Sequence, residues 1–266
     1  MYTSFELAFR YIRYFFTADN GKGHGIHSPF VFSFVQEVLI KSRKSHDVFI
    51  PIENKRRELK ASNQMIDVLD YGAGSTTGNR PQRSVGSIAK TAAKPARFGR
   101  LMYHLVQFYH VESVLELGTS LGLSTRYLAA ALQKGSVISI EGSPEIARFT
   151  SSSLQQEGYK HVKIIEGEFD ARLPEALSSL TGRKLVFFDG NHRYEPTMRY
   201  FNEVMAGCSE EDILVFDDIH WSREMEKAWQ EIKNNKQVTL TIDLFFIGLV
   251  FFRKEFKEKQ DFIIRF

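Results

Sequence analysis

The sequence predicts an α/β fold: a doubly wound, mostly parallel sheet of seven strands, preceded by a helical extension. Three observations predict it. From Glu112 onward, apolar runs of strand length alternate with stretches of helical spacing. Several of those runs end in a carboxylate, the pattern of parallel strands that present their carboxyl ends to a ligand. The last two apolar runs, 238–242 and 245–252, lie too close together for a crossover helix and must form an antiparallel hairpin.

Taken in order, the first strand falls at 111–117 and is followed by a helix to about residue 132. The second, 136–141, leads into a helix begun by Ser143 and Pro144, a capping residue with proline in the first turn. A third strand at 162–166 precedes a short helix near 174–180, and a fourth covers 184–189. A helix around 196–205, a strand at 212–217 and a helix at 223–233 complete five β-α units before the hairpin.

The first 94 residues differ in character and are assigned to a cap that serves acceptor or dimer contacts, leaving 95–266 as the ligand-binding domain. Phe5, Phe9, Ile12, Phe15 and Phe16 recur at helical spacing, an aromatic stripe expected in the core or in a homodimer interface rather than on a membrane surface. Ser28 and Pro29 start a second helix that runs from Phe30 to about Ile40. The glycine-rich loop between them carries His24 and His27, read as a lid or linker rather than a metal site. The run from Asp70 to Ser75 mimics a ligand loop, but the polar, proline-containing stretch after it starts no helix.

Composition sets bounds. A chain of 266 residues with 25% charged residues is ordinary for a globular protein and long enough to bury a substantial core. Cys208 is the only cysteine, which excludes an intrachain disulfide and fits a reducing, cytoplasmic compartment. Glu6, Arg10 and Arg13 interrupt the start, so no signal peptide is expected, and the longest apolar run, 244–252, is too short to span a bilayer. The net charge of +3 is too mild to imply nucleic acid, although Arg80, Arg83, Lys90, Lys94, Arg97 and Arg100 fall in a stretch free of acids.

The most informative segment runs from Val114 to Ser124. An apolar strand ends near Glu116, and Gly118, Thr119, Ser120 and Gly122 form a turn that opens onto a helix. Glycines let the backbone approach a ligand, and free amides at a helix start favour negative charge. The acid at the strand tip would repel phosphate and attract an ammonium or a sulfonium. Here the sequence resembles class I S-adenosylmethionine (SAM) dependent methyltransferases, whose first motif reads acidic-x-Gly-x-Gly-x-Gly with a variable middle position. The resemblance covers roughly residues 94–254.

That resemblance implies SAM as cofactor, with Glu116, Gly118, Thr119, Ser120, Gly122 and Ser124 around its methionine part. Glu141, a little over twenty residues past the glycine loop, stands where an acid reaches ribose hydroxyls, with Gly142 beside it. Gly167 and Phe169 would line the adenine. Asp189, at the end of the fourth strand, lies at the same sheet edge, and Asp217 and Asp218 end the fifth. Converging carboxylates repel one another unless a cation stands between them, and an all-oxygen site suits Mg²⁺. Such a site resembles the metal-dependent O-methyltransferases of the catechol and macrolide-sugar types, which implies Asp189, Asp217 and Asp218 as metal ligands.

A metal would lower the pKa of a bound hydroxyl, and His192, three residues past Asp189, would take its proton. Catechol-type enzymes carry a lysine there, so His220 is a rival base. The expected reaction is methyl transfer from SAM to a hydroxyl of a small acceptor, helped by Mg²⁺. Two alternatives stay open: an RNA or protein methyltransferase using the basic 80–100 segment, and a SAM-binding protein without turnover.

Overall fold

In a computed structural model, residues 1–23, 25–69, 82–132 and 134–266 are described. His24, the glycine run from Asp70 to Ser75, and Arg80 of the basic segment lie outside the described residues. The chain divides into two compact units, 41–182 and 1–40 with 183–266, so the first 94 residues are shared between them.

Within residues 41–182, parallel strands β3 (Ser113–Leu117), β4 (Ser136–Glu141) and β5 (Val162–Glu166) run in the order β3-β4-β5. Every residue of β3 is buried, whereas four of the five residues of β5 are half-buried or exposed. Helices α6 (Leu123–Ala131), α7 (Pro144–Gln156) and α8 (Phe169–Ser178) make the crossovers. Upstream stand α3 (Ile50–Ala61), the short antiparallel pair β1 (Met65–Asp67) and β2 (Gln82–Ser84), α4 (Val85–Ala92) and α5 (Ala96–Phe108).

Two local expectations are corrected here. Ser143 precedes α7 but makes no side-chain cap; its Oγ accepts the Leu69 amide at 3.2 Å instead. Helix α8 starts at Phe169, five residues before Pro174, which therefore sits inside the helix. Its missing N–H forfeits a bond to the carbonyl of Asp170, whose residue is exposed and open to water.

Within the second unit, α1 (Ser4–Thr17) and α2 (Pro29–Phe34) precede β6 (Lys184–Phe188), α9 (Tyr194–Met205), β7 (Ile213–Asp217) and α10 (Arg223–Asn234). Then come β8 (Leu240–Asp243), β9 (Ile247–Phe251) and β10 (Gln260–Ile263). The helix expected over 30–40 is α2 followed by a π-helical stretch, Val35–Ile40. Strand order in this unit is β10-β8-β9-β7-β6, with β6 and β7 parallel and β9 antiparallel to both β7 and β8, which is the expected hairpin. Strand β10 returns parallel to β8 and adds an edge strand that the sequence reading did not include. No helix of the described residues is long and apolar enough to cross a membrane.

The aromatic stripe of α1 is not core. Phe5, Phe9, Ile12, Phe15 and Phe16 are all exposed, while Tyr14, with Leu7 and Tyr11, turns inward onto Phe245 and Phe246. A capping box between Thr3 and Glu6 starts the helix.

Candidate functional site

The acids and glycines singled out above fall into two groups, one in each unit. In residues 41–182 they collect at the carboxyl ends of β3, β4 and β5. Leaving β3, the chain takes positive φ at Gly118 (108°), Ser120 (48°) and Gly122 (68°). Gly122 is doubly constrained, since a Cβ there would lie 2.6 Å from Thr150 Cγ2.

Side chains brace this loop from below. Thr150 Oγ1 donates to the Ser120 carbonyl at 2.8 Å, and Arg126 Nη1 donates to the carbonyls of Leu121 and Gly122 at 2.9 and 2.8 Å. Arg126 is fully buried and completes its bonding with Glu157 and Ser153. Partial burial pushes Glu157 up, but the guanidinium outweighs it and holds the carboxyl below the usual range. Sequence reading missed Arg126, because an arginine inside a helix reads as solvent-facing. Arg126→Met is expected to destabilise the fold by about 3 kcal/mol, seen as a lower urea midpoint, since it strands the Glu157 carboxylate and two loop carbonyls.

Glu141 closes the loop from above. Its Oε2 accepts the Ser120 amide at 2.8 Å and its Oε1 the Ser143 amide at 2.9 Å, and Gly142 lies between. The Gly167 amide donates to the Glu141 carbonyl at 2.9 Å, which brings Gly167, and Phe169 at the start of α8, beside the β4 acid. Phe169 is half-buried.

Glu116 is fully buried. Its Oε2 accepts hydroxyl bonds from Thr125 at 2.5 Å and Ser139 at 2.7 Å, and Ser139 pairs in turn with Thr119 at 2.6 Å. Burial pushes this carboxyl up to about 7 against the pull of neighbouring hydroxyls. Its Oε1 is buried and makes no hydrogen bond of ordinary geometry, although the Ser124 hydroxyl also acts to lower the carboxyl. Ser124, half-buried, lies on the first turn of α6.

In the other unit, Asp189 follows β6 and Asp217 ends β7. Asp189, His192 and Asp217 each offer a ligand atom, all within 4.8 Å of one another. Asp217 is buried, and the other two are half-buried. A positive φ at Asn191 (52°) turns the chain just before His192. Asp218, expected as a third carboxylate, is not in this group. It has a positive φ of 54°, and its amide is held by the Phe246 carbonyl at 2.7 Å. The cluster is therefore two carboxylates and an imidazole, a mixed donor set that fits a divalent cation.

His220, the rival base, is engaged elsewhere. Its ring bridges Glu226 (Nδ1, 3.1 Å) and Asp243 (Nε2, 2.8 Å). Burial works to lower its pKa, but the bonds to both carboxylates prevail and raise it to about 9. A raised histidine stabilises fully below its unfolded pKa near 6.5 and loses that contribution as pH climbs through about 9. The wild type is expected to lose on the order of 2 kcal/mol of unfolding free energy across that window relative to His220→Gln, by urea titration at each pH.

Of the basic segment, Arg83 lies on β2 and donates to Thr91, Lys90 is on α4, and Arg97 and Arg100 are on α5, where Arg97 stacks over Phe98.

A family model described as a methyltransferase domain matches residues 115–219, from inside β3 to just past β7. The chain is 27% identical over 169 residues to a catechol O-methyltransferase of Niastella koreensis, covering 59% of this chain and 75% of that one. Among solved structures, the O-methyltransferase TomG of Streptomyces achromogenes in complex with SAM aligns with a TM-score of 0.55 at 18% identity, covering 82% of this chain and 96% of that one. An S-adenosylhomocysteine-bound methyltransferase of Podospora anserina aligns with a TM-score of 0.58 at 15% identity, covering 86% and 100%. The class I methyltransferase resemblance read from the glycine loop is thereby supported, and the fold is theirs.

Proposed function

We propose that this chain, built on a methyltransferase domain, is a SAM-dependent O-methyltransferase that methylates a hydroxyl of a small acceptor with the help of a divalent cation, Mg²⁺ in the simplest case. The observation that carries the reading is the loop after β3, held between Glu141 and Arg126 above a buried acid with one open oxygen. Glu116 Oε1 suits the methionine ammonium. A carboxylate has about four acceptor sites, so Glu141 can receive ribose hydroxyls while keeping its two amides. Gly167 and Phe169 would border the adenine, with Gly118, Thr119, Ser120, Gly122 and Ser124 on the methionine side.

Asp189 and Asp217 are proposed to hold the cation. When bound it would acidify and orient the acceptor hydroxyl. His192, within reach of both carboxylates, is proposed to take the hydroxyl proton as the oxygen displaces the sulfonium in line; the methyl–sulfur bond breaks as the methyl–oxygen bond forms. A cytoplasmic setting is proposed on the single, half-buried Cys208, whose thiol is pushed up to about 12 by burial and the charge of Asp212. The aromatic content favours an apolar acceptor over nucleic acid.

Isothermal calorimetry with S-adenosylhomocysteine tests the cofactor reading: micromolar binding is expected, and no binding at any attainable concentration would overturn it. Methyl release to a panel of phenols and sugars, with and without chelator, tests the cation.

A further inference from the structure

We propose that α1 is a dimerisation element, pairing antiparallel with the same helix of a second copy of this chain. Phe5, Phe9, Ile12 and Phe16 follow one another at steps of four, three and four residues, the a/d spacing of a coiled-coil seam. All four lie on the outer face, exposed by 83%, 64%, 54% and 79%. The opposite face is committed to the protein's own core. Tyr14 donates to the Ile264 carbonyl, the Tyr11 ring meets Phe245 at 5.1 Å, and Arg10 and Tyr2 both hold Glu226. A fourteen-residue seam would be too short to form from free peptides, but here the helix is already folded and anchored.

The residues flanking the seam choose the partner and its direction. Antiparallel alignment about the midpoint of Phe9 and Ile12 sets Phe5 against Phe16 and Phe9 against Ile12 of the second copy. In that register the flanking position of Glu6 faces Arg13 of the second copy, and Arg13 faces its Glu6, so one twofold axis generates two ion pairs. On the other flank, Ala8 faces Phe15, a small residue against a large one. Glu6 uses only Oε2 for its capping box, leaving Oε1 for the pairing.

A lipid surface fits less well. Such helices carry an excess of cations, whereas here Arg10 is tied to Glu226 and Glu6 sets an anion beside Arg13. The exposed apolar side chains offer on the order of 500 Å² per copy, which brings the pair near the size of a specific interface.

Analytical ultracentrifugation of the full chain over a micromolar range tests this. The wild type should sediment as a reversible dimer and Phe9→Glu/Ile12→Glu as a monomer with unchanged circular dichroism, since both residues are exposed. Arg13→Glu should weaken the dimer roughly tenfold, and adding Glu6→Lys should restore it, because the ion pairs are then re-formed with reversed sign. A wild type that stays monomeric overturns the proposal. So does a dimer that survives Phe9→Glu/Ile12→Glu, a double charge reversal that fails to recover, or a monomer that instead binds phosphatidylserine vesicles through this face.

Discussion

Replacing Asp217 by asparagine is expected to lower methyl transfer roughly a thousandfold while leaving S-adenosylhomocysteine affinity within about twofold. Asparagine keeps the volume of a side chain that is buried at the end of β7, so the sheet should be undisturbed. What it removes is one of the two carboxylates proposed to hold the cation. Asp218→Asn is the control. That residue lies outside the cluster and its position is set by its backbone bond to Phe246, so a change below about fivefold is expected. Steady-state assays with purified variants, in buffer with chelator and after metal restoration, read both effects. Turnover indifferent to chelator and to Asp217→Asn would remove the cation from the reaction.

Glu141→Ala should act on the opposite property. The carboxylate accepts two backbone amides, from Ser120 and Ser143, and is proposed to accept ribose hydroxyls as well. Hydrogen bonds to a charged acceptor are each worth about 1.5–3 kcal/mol, so losing them should weaken S-adenosylhomocysteine binding at least a hundredfold. Glu141→Gln, which keeps a carbonyl acceptor but not the charge, should fall in between. Calorimetry gives the affinities, and a thermal melt separates loss of the ligand contact from loss of the loop. Binding in Glu141→Ala within threefold of wild type would place the ribose elsewhere.

How much of this was legible in the residues differs from element to element. Strands β3, β4, β6 and β7 announce themselves because strands buried on both faces read as mostly apolar runs, here interrupted by a few serines and acids. The last two apolar runs gave the hairpin because too few residues separate them for a crossover helix. Strand β10 did not, being four residues long, half-exposed and preceded by a run of charges. The short helix expected near 174–180 starts instead at Phe169, with Pro174 inside α8.

In the site, Glu116, Glu141 and Asp189 were readable as acids delivered by apolar strands. That His192 stands beside Asp189 and Asp217 while Asp218 does not was not readable. It follows from left-handed residues at Asn191 and Asp218, and neither left-handed turn is marked by a glycine. Arg126 was equally hidden, since Ser153 and Glu157 lie about thirty residues away and only the folded chain brings them to it. The stripe on α1 was seen, but its periodicity could not say which of two apolar faces would turn inward.

With Glu116 as the proposed partner of the methionine ammonium, its buried carboxyl would make cofactor capture a proton-releasing event. Near neutrality the empty protein is a mixture of ionised and un-ionised molecules at this one position, and a ligand bearing fixed positive charge selects the ionised ones. Occupancy of the loop would thus strengthen as the medium turns alkaline and slacken as it acidifies, so that supply of methyl groups follows ambient acidity before any acceptor arrives.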